Sequence, residues 1–163
     1  KKFIVLTLHR PSNVDNKGNL KLIVDQILQN VENLPVIFPV HPRTKKQIMK
    51  LRLPYENLYL IDPLTYLEFN FLVEKSKAVI TDSGGVTEET SYLNIPCITL
   101  RNSTERPETI TLGTNELIGN DPNSIKPALH KLFSNKWKNA KNIPFWDGKT
   151  SERIIKHLIE DIL

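Results

Sequence analysis

The run Thr81-Asp82-Ser83-Gly84-Gly85-Val86-Thr87-Glu88-Glu89 puts two glycines between a short β-branched segment and a stretch with helical spacing. Glycines at such a junction can take backbone angles closed to other residues, and they leave no side chain to block approach. A helix that starts there turns free amides and the positive end of its dipole outward, which is a favourable seat for a phosphate. Asp82 or Ser83 could cap that helix. The plainer meaning of the same residues is a tight strand-to-helix connection, and the turn alone does not separate the two. His9 follows an apolar run, where it could contact a phosphate or transfer a proton, or simply bond to backbone. Arg106, between Glu105 and Pro107, could give a diphosphate a bidentate contact, or form a surface ion pair with Glu105 or Glu108. Glu88 and Glu89 suit the first turns of a helix electrostatically, and one of them could also accept both hydroxyls of a ribose. His41 reads as a structural tie between adjacent loops. No His, Cys and carboxylate set has metal-ligand spacing, and no Ser-His-Asp order forms a recognisable nucleophile elbow, so neither metal nor other cofactor is expected.

These residues need a scaffold, and the hydrophobic pattern describes one. Phe3 to Leu8 is a continuous apolar run of the kind buried on both faces of a parallel sheet, and it ends in His9-Arg10-Pro11-Ser12. Leu20, Ile23, Val24, Ile27, Leu28, Val31 and Leu34 then form the stripe of one long helix. Further strands are predicted over Pro35 to Val40, Asn57 to Ile61, Ala78 to Thr81, Pro96 to Leu100 and Asn115 to Ile118. Helices are predicted over Thr44 to Leu53, Leu67 to Ser76, from Val86 onward, Ser124 to Phe133 and Thr150 to Leu163, with Arg101 to Glu108 a polar loop. The last helix carries Ile154, Ile155, Leu158, Ile159 and Ile162 at helical spacing. Alternating β and α with short connections predicts an α/β fold, a parallel sheet of about six strands with right-handed crossovers and helices on both faces. Ligands of such sheets bind beyond the carboxyl ends of the strands. That edge should gather His9 and Arg10, His41 and Arg43, Asp62, the Ser83 turn, and Arg101 to Glu108.

The totals exclude more than they select. The chain has 163 residues with 22 Lys and Arg against 18 Asp and Glu, a net charge of +4, and its lysines are scattered rather than set in one aromatic-interleaved stripe. Nucleic acid is therefore not favoured as a partner. No apolar run is long enough to cross a bilayer, so no membrane association is expected. The single cysteine, Cys97, lies in an apolar strand and reads as an inert buried thiol, which suits the cytoplasm. One lobe over residues 1–163 is the default at this length. The chain enters a core strand at once, as expected of a domain cut from a longer chain.

Five motifs together resemble one known family: Thr7-Leu8-His9-Arg10-Pro11-Ser12-Asn13-Val14, Pro39-Val40-His41-Pro42, the Thr81 to Glu89 run, Thr104-Glu105-Arg106-Pro107-Glu108, and Asp147-Gly148-Lys149-Thr150-Ser151-Glu152-Arg153-Ile154. In order and spacing they look like the motif series of the non-hydrolysing UDP-N-acetylglucosamine 2-epimerases. The resemblance implies the second of two Rossmann-like lobes in the arrangement called GT-B, with the N-terminal lobe missing and with UDP-GlcNAc and UDP as partners. It also implies a homodimer for the full-length protein, and cell-envelope polysaccharide biosynthesis as its setting. By resemblance, Ser83, Gly84 and Gly85 hold the diphosphate, Glu89 the ribose and Arg106 the phosphates, Phe69 lies by the uracil, and His9 is the active-site histidine beside the sugar diphosphate. The family reaction interconverts UDP-GlcNAc and UDP-ManNAc by elimination and readdition of UDP, with the proton-moving carboxylates on the first lobe. This chain alone is then expected to bind UDP weakly without turnover. Ser12 stands where the family commonly has Glu, which leaves the exact sugar open. The second lobe of a GT-B glycosyltransferase, or of a hydrolysing epimerase, is the alternative.

Overall fold

A computed structural model describes residues 2–51 and 53–162, with the backbone alone for 161 and 162. Lys1, Leu163 and the Ile162 side chain of the predicted last helix therefore lie outside the described residues. Six strands, β1 (Ile4–Thr7), β2 (Val36–Pro39), β3 (Leu58–Ile61), β4 (Ala78–Thr81), β5 (Cys97–Thr99) and β6 (Asn115–Leu117), form one sheet in the order β3-β2-β1-β4-β5-β6. Every pairing is parallel. The six-stranded parallel sheet expected from the sequence is present. β1 lies between β2 and β4, so the strand order reverses at β1 and β4, the place where such sheets open a crevice.

Alternation along the strands feeds two cores. Ile4, Leu6 and Leu8 of the β1 segment join Phe38, Ile80, Ile98 and Leu100 on one face, against α2 (Lys17–Asn30) and α7 (Ile125–Phe133). Val5 and Val79 point the other way, to Val73 of α4 (Tyr66–Lys75) and Val86 of α5 (Gly84–Tyr92). The long stripe forms α2, whose Leu20, Ile23, Val24, Ile27 and Leu28 are buried. Each such side chain contributes about 1.5–3 kcal/mol when withdrawn from water. Asn16 caps α2 by accepting from the Asn19 amide, and the helix stops before Leu34 because Glu32 and Asn33 take left-handed backbone angles. Cys97 is fully buried, and burial pushes its thiol up to about 11, as an inert core cysteine requires.

Proline places two short helices that hydrophobic spacing did not indicate. α1 (Pro11–Val14) and α6 (Pro107–Thr111) both begin with proline at the first position, where its fixed φ and missing N–H cost nothing. The polar loop expected over Arg101 to Glu108 thus ends inside α6. α3 (Pro42–Ile48) likewise starts at its proline, two residues before the predicted Thr44, and ends short of Leu53. Leu51 and Leu53 still pack against the larger core. The terminal helix α8 (Thr150–Ile162) is present, but Ile154, Ile155, Leu158 and Ile159 are each more than half exposed. No helix among the described residues is long and apolar enough to cross a membrane.

Candidate functional site

The register of β1 against β4, Thr7 opposite Thr81, sets the start of the site. The next residues of both strands leave the sheet side by side. Asp82 is fully buried there, and its carboxylate turns toward the segment after β1. It accepts from the His9 amide at 3.1 Å to both oxygens, the Arg10 amide at 2.9 Å and Asn13 Nδ2 at 3.0 Å. His9 Nδ1 approaches the same carboxylate at 2.9 Å. Burial works against the charge, but the hydrogen bonds from His9, Asn13 and the Arg10 amide outweigh it and hold Asp82 below the usual carboxylate range.

Neither candidate cap is formed. Ser83 occupies the cap position of α5 without a side-chain cap hydrogen bond, and the Asp82 carboxylate is committed elsewhere. The first turn of α5 therefore receives no capping side chain from either residue. Nor do Gly84 and Gly85 take left-handed angles; the positive-φ glycines are Gly119 and Gly148. A Cβ on Gly85 would meet no atom within 4 Å, so the approach to the turn is open on that side. A Cβ on Gly84 would stand 3.4 Å from Arg101 Nη1 and 3.5 Å from Glu105 Oε2.

Two arginines flank this turn. Arg101, at the end of the β5 segment and nearly buried, binds Glu105 through both terminal nitrogens at 2.8 and 2.6 Å. That pair holds the Glu105 carboxyl down to about 2. Arg106, at the cap position of α6, donates from Nε to Glu88 at 2.7 Å. The sequence offered Glu105 or Glu108 as ion-pair partners for Arg106; the partner is Glu88, on the second turn of α5.

Farther along α5, Glu89 is half-buried, and burial raises its carboxyl against the opposing hydrogen bonds from Asn70 and Tyr66. Glu88 and Glu89 line a groove of about 670 Å³ together with Tyr66, Phe71, Tyr92 and Trp146. Phe69 lies on α4 next to Asn70, half-buried against Val5, Val73, Val79, Val86 and Ile95. His41 accepts the Arg43 amide on Nδ1 and packs its ring 5.4 Å from that of His9, as a structural tie between loops would. Arg43 and Asp62 on the same edge are engaged by Asp15 and Lys45. Ser12 is exposed on α1 and its carbonyl accepts from Asn19.

The fold thus brings together His9, Ser83, Gly84, Gly85 and Arg106 around the α5 N-terminus, with Phe69 and Glu89 on the α4–α5 side. The sequence offered Asp82 or Ser83 as a possible cap and gave Asn13 no role of its own. The available signal was an acid at the end of an apolar strand, which must find donors once buried. Chemically the arrangement offers helix amides, two guanidiniums and an anchored imidazole to an anion, and a half-buried carboxylate to hydroxyl groups.

The family model described as UDP-N-acetylglucosamine 2-epimerase matches residues 1–159. The UDP-N-acetylglucosamine 2-epimerase of Methanocaldococcus jannaschii is 44% identical over 163 residues, covering 96% of this chain and 44% of that protein. A crystal structure of the Methanocaldococcus jannaschii enzyme in complex with UDP-GlcNAc and UDP superposes with a TM-score of 0.81 at 42% identity, over 97% of this chain and 45% of the other. The Pseudomonas aeruginosa UDP-2,3-diacetamido-2,3-dideoxy-D-glucuronate 2-epimerase is 36% identical, covering 96% of this chain and 44% of that protein. The chain spans less than half the length of these relatives. With the match running almost end to end, the chain belongs to the UDP-N-acetylglucosamine 2-epimerase family.

Proposed function

We propose that this chain is the nucleotide-sugar-binding lobe of a non-hydrolysing UDP-GlcNAc 2-epimerase. The observation that carries the reading is the uncapped start of α5 at the β1–β4 reversal, with His9 anchored beside it and Arg106 reaching across from α6. In this reading the diphosphate sits on Ser83, Gly84 and Gly85, Arg106 binds the phosphates, Glu89 accepts the ribose hydroxyls, and Phe69 lies by the uracil. His9 faces the sugar diphosphate.

The chemistry follows from what such a lobe can supply. Elimination breaks the bond between the sugar C1 and the β-phosphate oxygen while a proton leaves C2, so negative charge grows on the departing UDP. Preorganised amides, a guanidinium and an imidazole aimed at that charge lower the barrier. Readdition reverses the step after the proton returns to the opposite face of C2. The base for that proton belongs to a further, N-terminal lobe. The exposed Ile154, Ile155, Leu158 and Ile159 stripe of α8 supports such a lobe, because an amphipathic helix buries its apolar stripe against a partner surface. The full-length protein is then a cytoplasmic homodimer with both lobes in each subunit.

Calorimetric titration of UDP and UDP-GlcNAc into this chain tests the reading. Saturable binding of both without epimerisation is expected, and turnover by the 163-residue chain itself would contradict the division of labour between lobes. With the full-length protein, UDP-ManNAc as product supports the non-hydrolysing reaction, whereas free ManNAc rejects it.

A further inference from the structure

Asp82 follows β4, one residue before the anion seat, yet its hydrogen bonds all run sideways to the segment after β1. A carboxylate offers about four lone-pair sites, and here four donors compete for them. Three of these, the amides of His9 and Arg10 and the Asn13 side chain, are permanent donors. The fourth, His9 Nδ1 at 2.9 Å, can donate only if it carries a proton, because an ionised carboxylate accepts and never gives. The proton on Nδ1 also fixes the other nitrogen, since the neutral ring then keeps its lone pair on Nε2. The His9 side chain is 34% exposed while Asp82 is not exposed at all, so the accessible edge of the ring is the Nε2 edge.

We propose that Asp82 is a positioning residue that holds His9 in its Nδ1–H form and turns Nε2 toward the diphosphate of a bound nucleotide sugar. The inference rests on the reading of the site given above, and it adds the residue through which His9 is aimed. When the ring is protonated on both nitrogens it is a cation held between two anions, Asp82 behind and phosphate in front. The Nε2–H then donates to a phosphate oxygen, with no covalent bond made or broken by His9. Asn13 completes the device from the far side. Its Nδ2 also donates to the Leu100 carbonyl, tying the His9 segment to the end of the β5 strand.

Nitrogen NMR of the His9 ring in the wild-type chain at alkaline pH reads the tautomer without any ligand. Nδ1–H is expected, and Nε2–H would overturn the proposal. UDP affinity is then measured for Asp82→Asn, His9→Gln and the double variant. If Asp82 acts through His9, Asp82→Asn weakens UDP binding on the order of tenfold, within the coupling range of residues in one network, and adds nothing to His9→Gln. Additive losses would make Asp82 a merely structural residue and reject its role. If Asp82→Asn does not fold, the wild-type tautomer decides alone. A wild-type chain with the expected tautomer that ignores UDP would overturn the nucleotide reading and the ligand named here. UDP binding with an Nε2–H ring would overturn the role of Asp82 alone.

Discussion

Arg106 Nε donates to Glu88 Oε1 at 2.7 Å, so a cation at the start of α6 is held by an anion on the second turn of α5. The two side chains are 48% and 38% exposed, and a solvent-screened pair of this kind adds little to stability. A phosphate seated on the α5 N-terminus, as proposed, would compete with Glu88 for the same guanidinium. Glu88→Gln should therefore leave the unfolding free energy nearly unchanged and strengthen UDP binding. Arg106→Ala should weaken UDP binding by about 1.5–3 kcal/mol, the value of a charge-assisted contact. Calorimetry on both variants checks the pair; unchanged affinity in Arg106→Ala would remove Arg106 from the site.

Gly85 separates binding from folding. It is exposed, and a side chain there would meet no atom within 4 Å. Gly85→Val should melt within a few degrees of wild type, because valine is no worse than glycine in a helix. The same change covers the amides that a phosphate must approach, so UDP binding should be lost. A Gly85→Val chain that binds UDP as wild type does would move the phosphate off this turn.

Acid should weaken the fold through the site itself. The Asp82 carboxyl lies below its ordinary value of 3.8, and that of Glu105 falls from 4.5 to about 2. Both are lowered in the folded chain, so each adds stability above its unfolded value, and that stability is lost as pH falls toward the folded one. Asp82→Asn should be less stable than wild type at neutral pH, with a gap that narrows as pH drops below about 4. Urea unfolding across that range measures the gap, and a constant gap would mean that the Asp82 charge is not what binds the His9 segment.

α8 and α2 should respond oppositely to the same kind of change. Ile155 and Ile159 are 57% and 52% exposed, whereas Ile27 is fully buried. Ile27→Ala should cost about 2–5 kcal/mol in this chain. Ile155→Glu and Ile159→Glu should each change its stability by no more than about 0.5 kcal/mol, the usual effect at an exposed position. In the full-length protein the α8 changes should become destabilising, if an N-terminal lobe covers the stripe. Equal melting temperatures there would leave α8 without that partner.

Much of the fold was legible because its signals are local. Leu20 through Leu28 recur at helical spacing, and the two-sided apolar runs at Ile4 and Ala78 are what a buried parallel strand requires. α1 and α6 were missed because proline starts them and no hydrophobic stripe runs through them. The expectation of a seat at Ser83, Gly84 and Gly85 came from chemistry, since glycine at a strand-to-helix junction leaves backbone amides accessible. The glycines do this without the special backbone angles that their type permits.

The sequence by itself determined the alternating elements, the polar ends of the strands, and the family to which the chain belongs. Only the tertiary structure decided that β1 lies against β4, which joins Asp82 to His9 across 73 residues, and that Arg106 meets Glu88 across 18. The reason is physical: periodicity records which face of an element is apolar, whereas pairing across the sheet depends on strand order and register. Burial then changes the meaning of a residue. An aspartate that reads as a helix cap becomes, once enclosed, the acceptor around which the His9 segment is arranged.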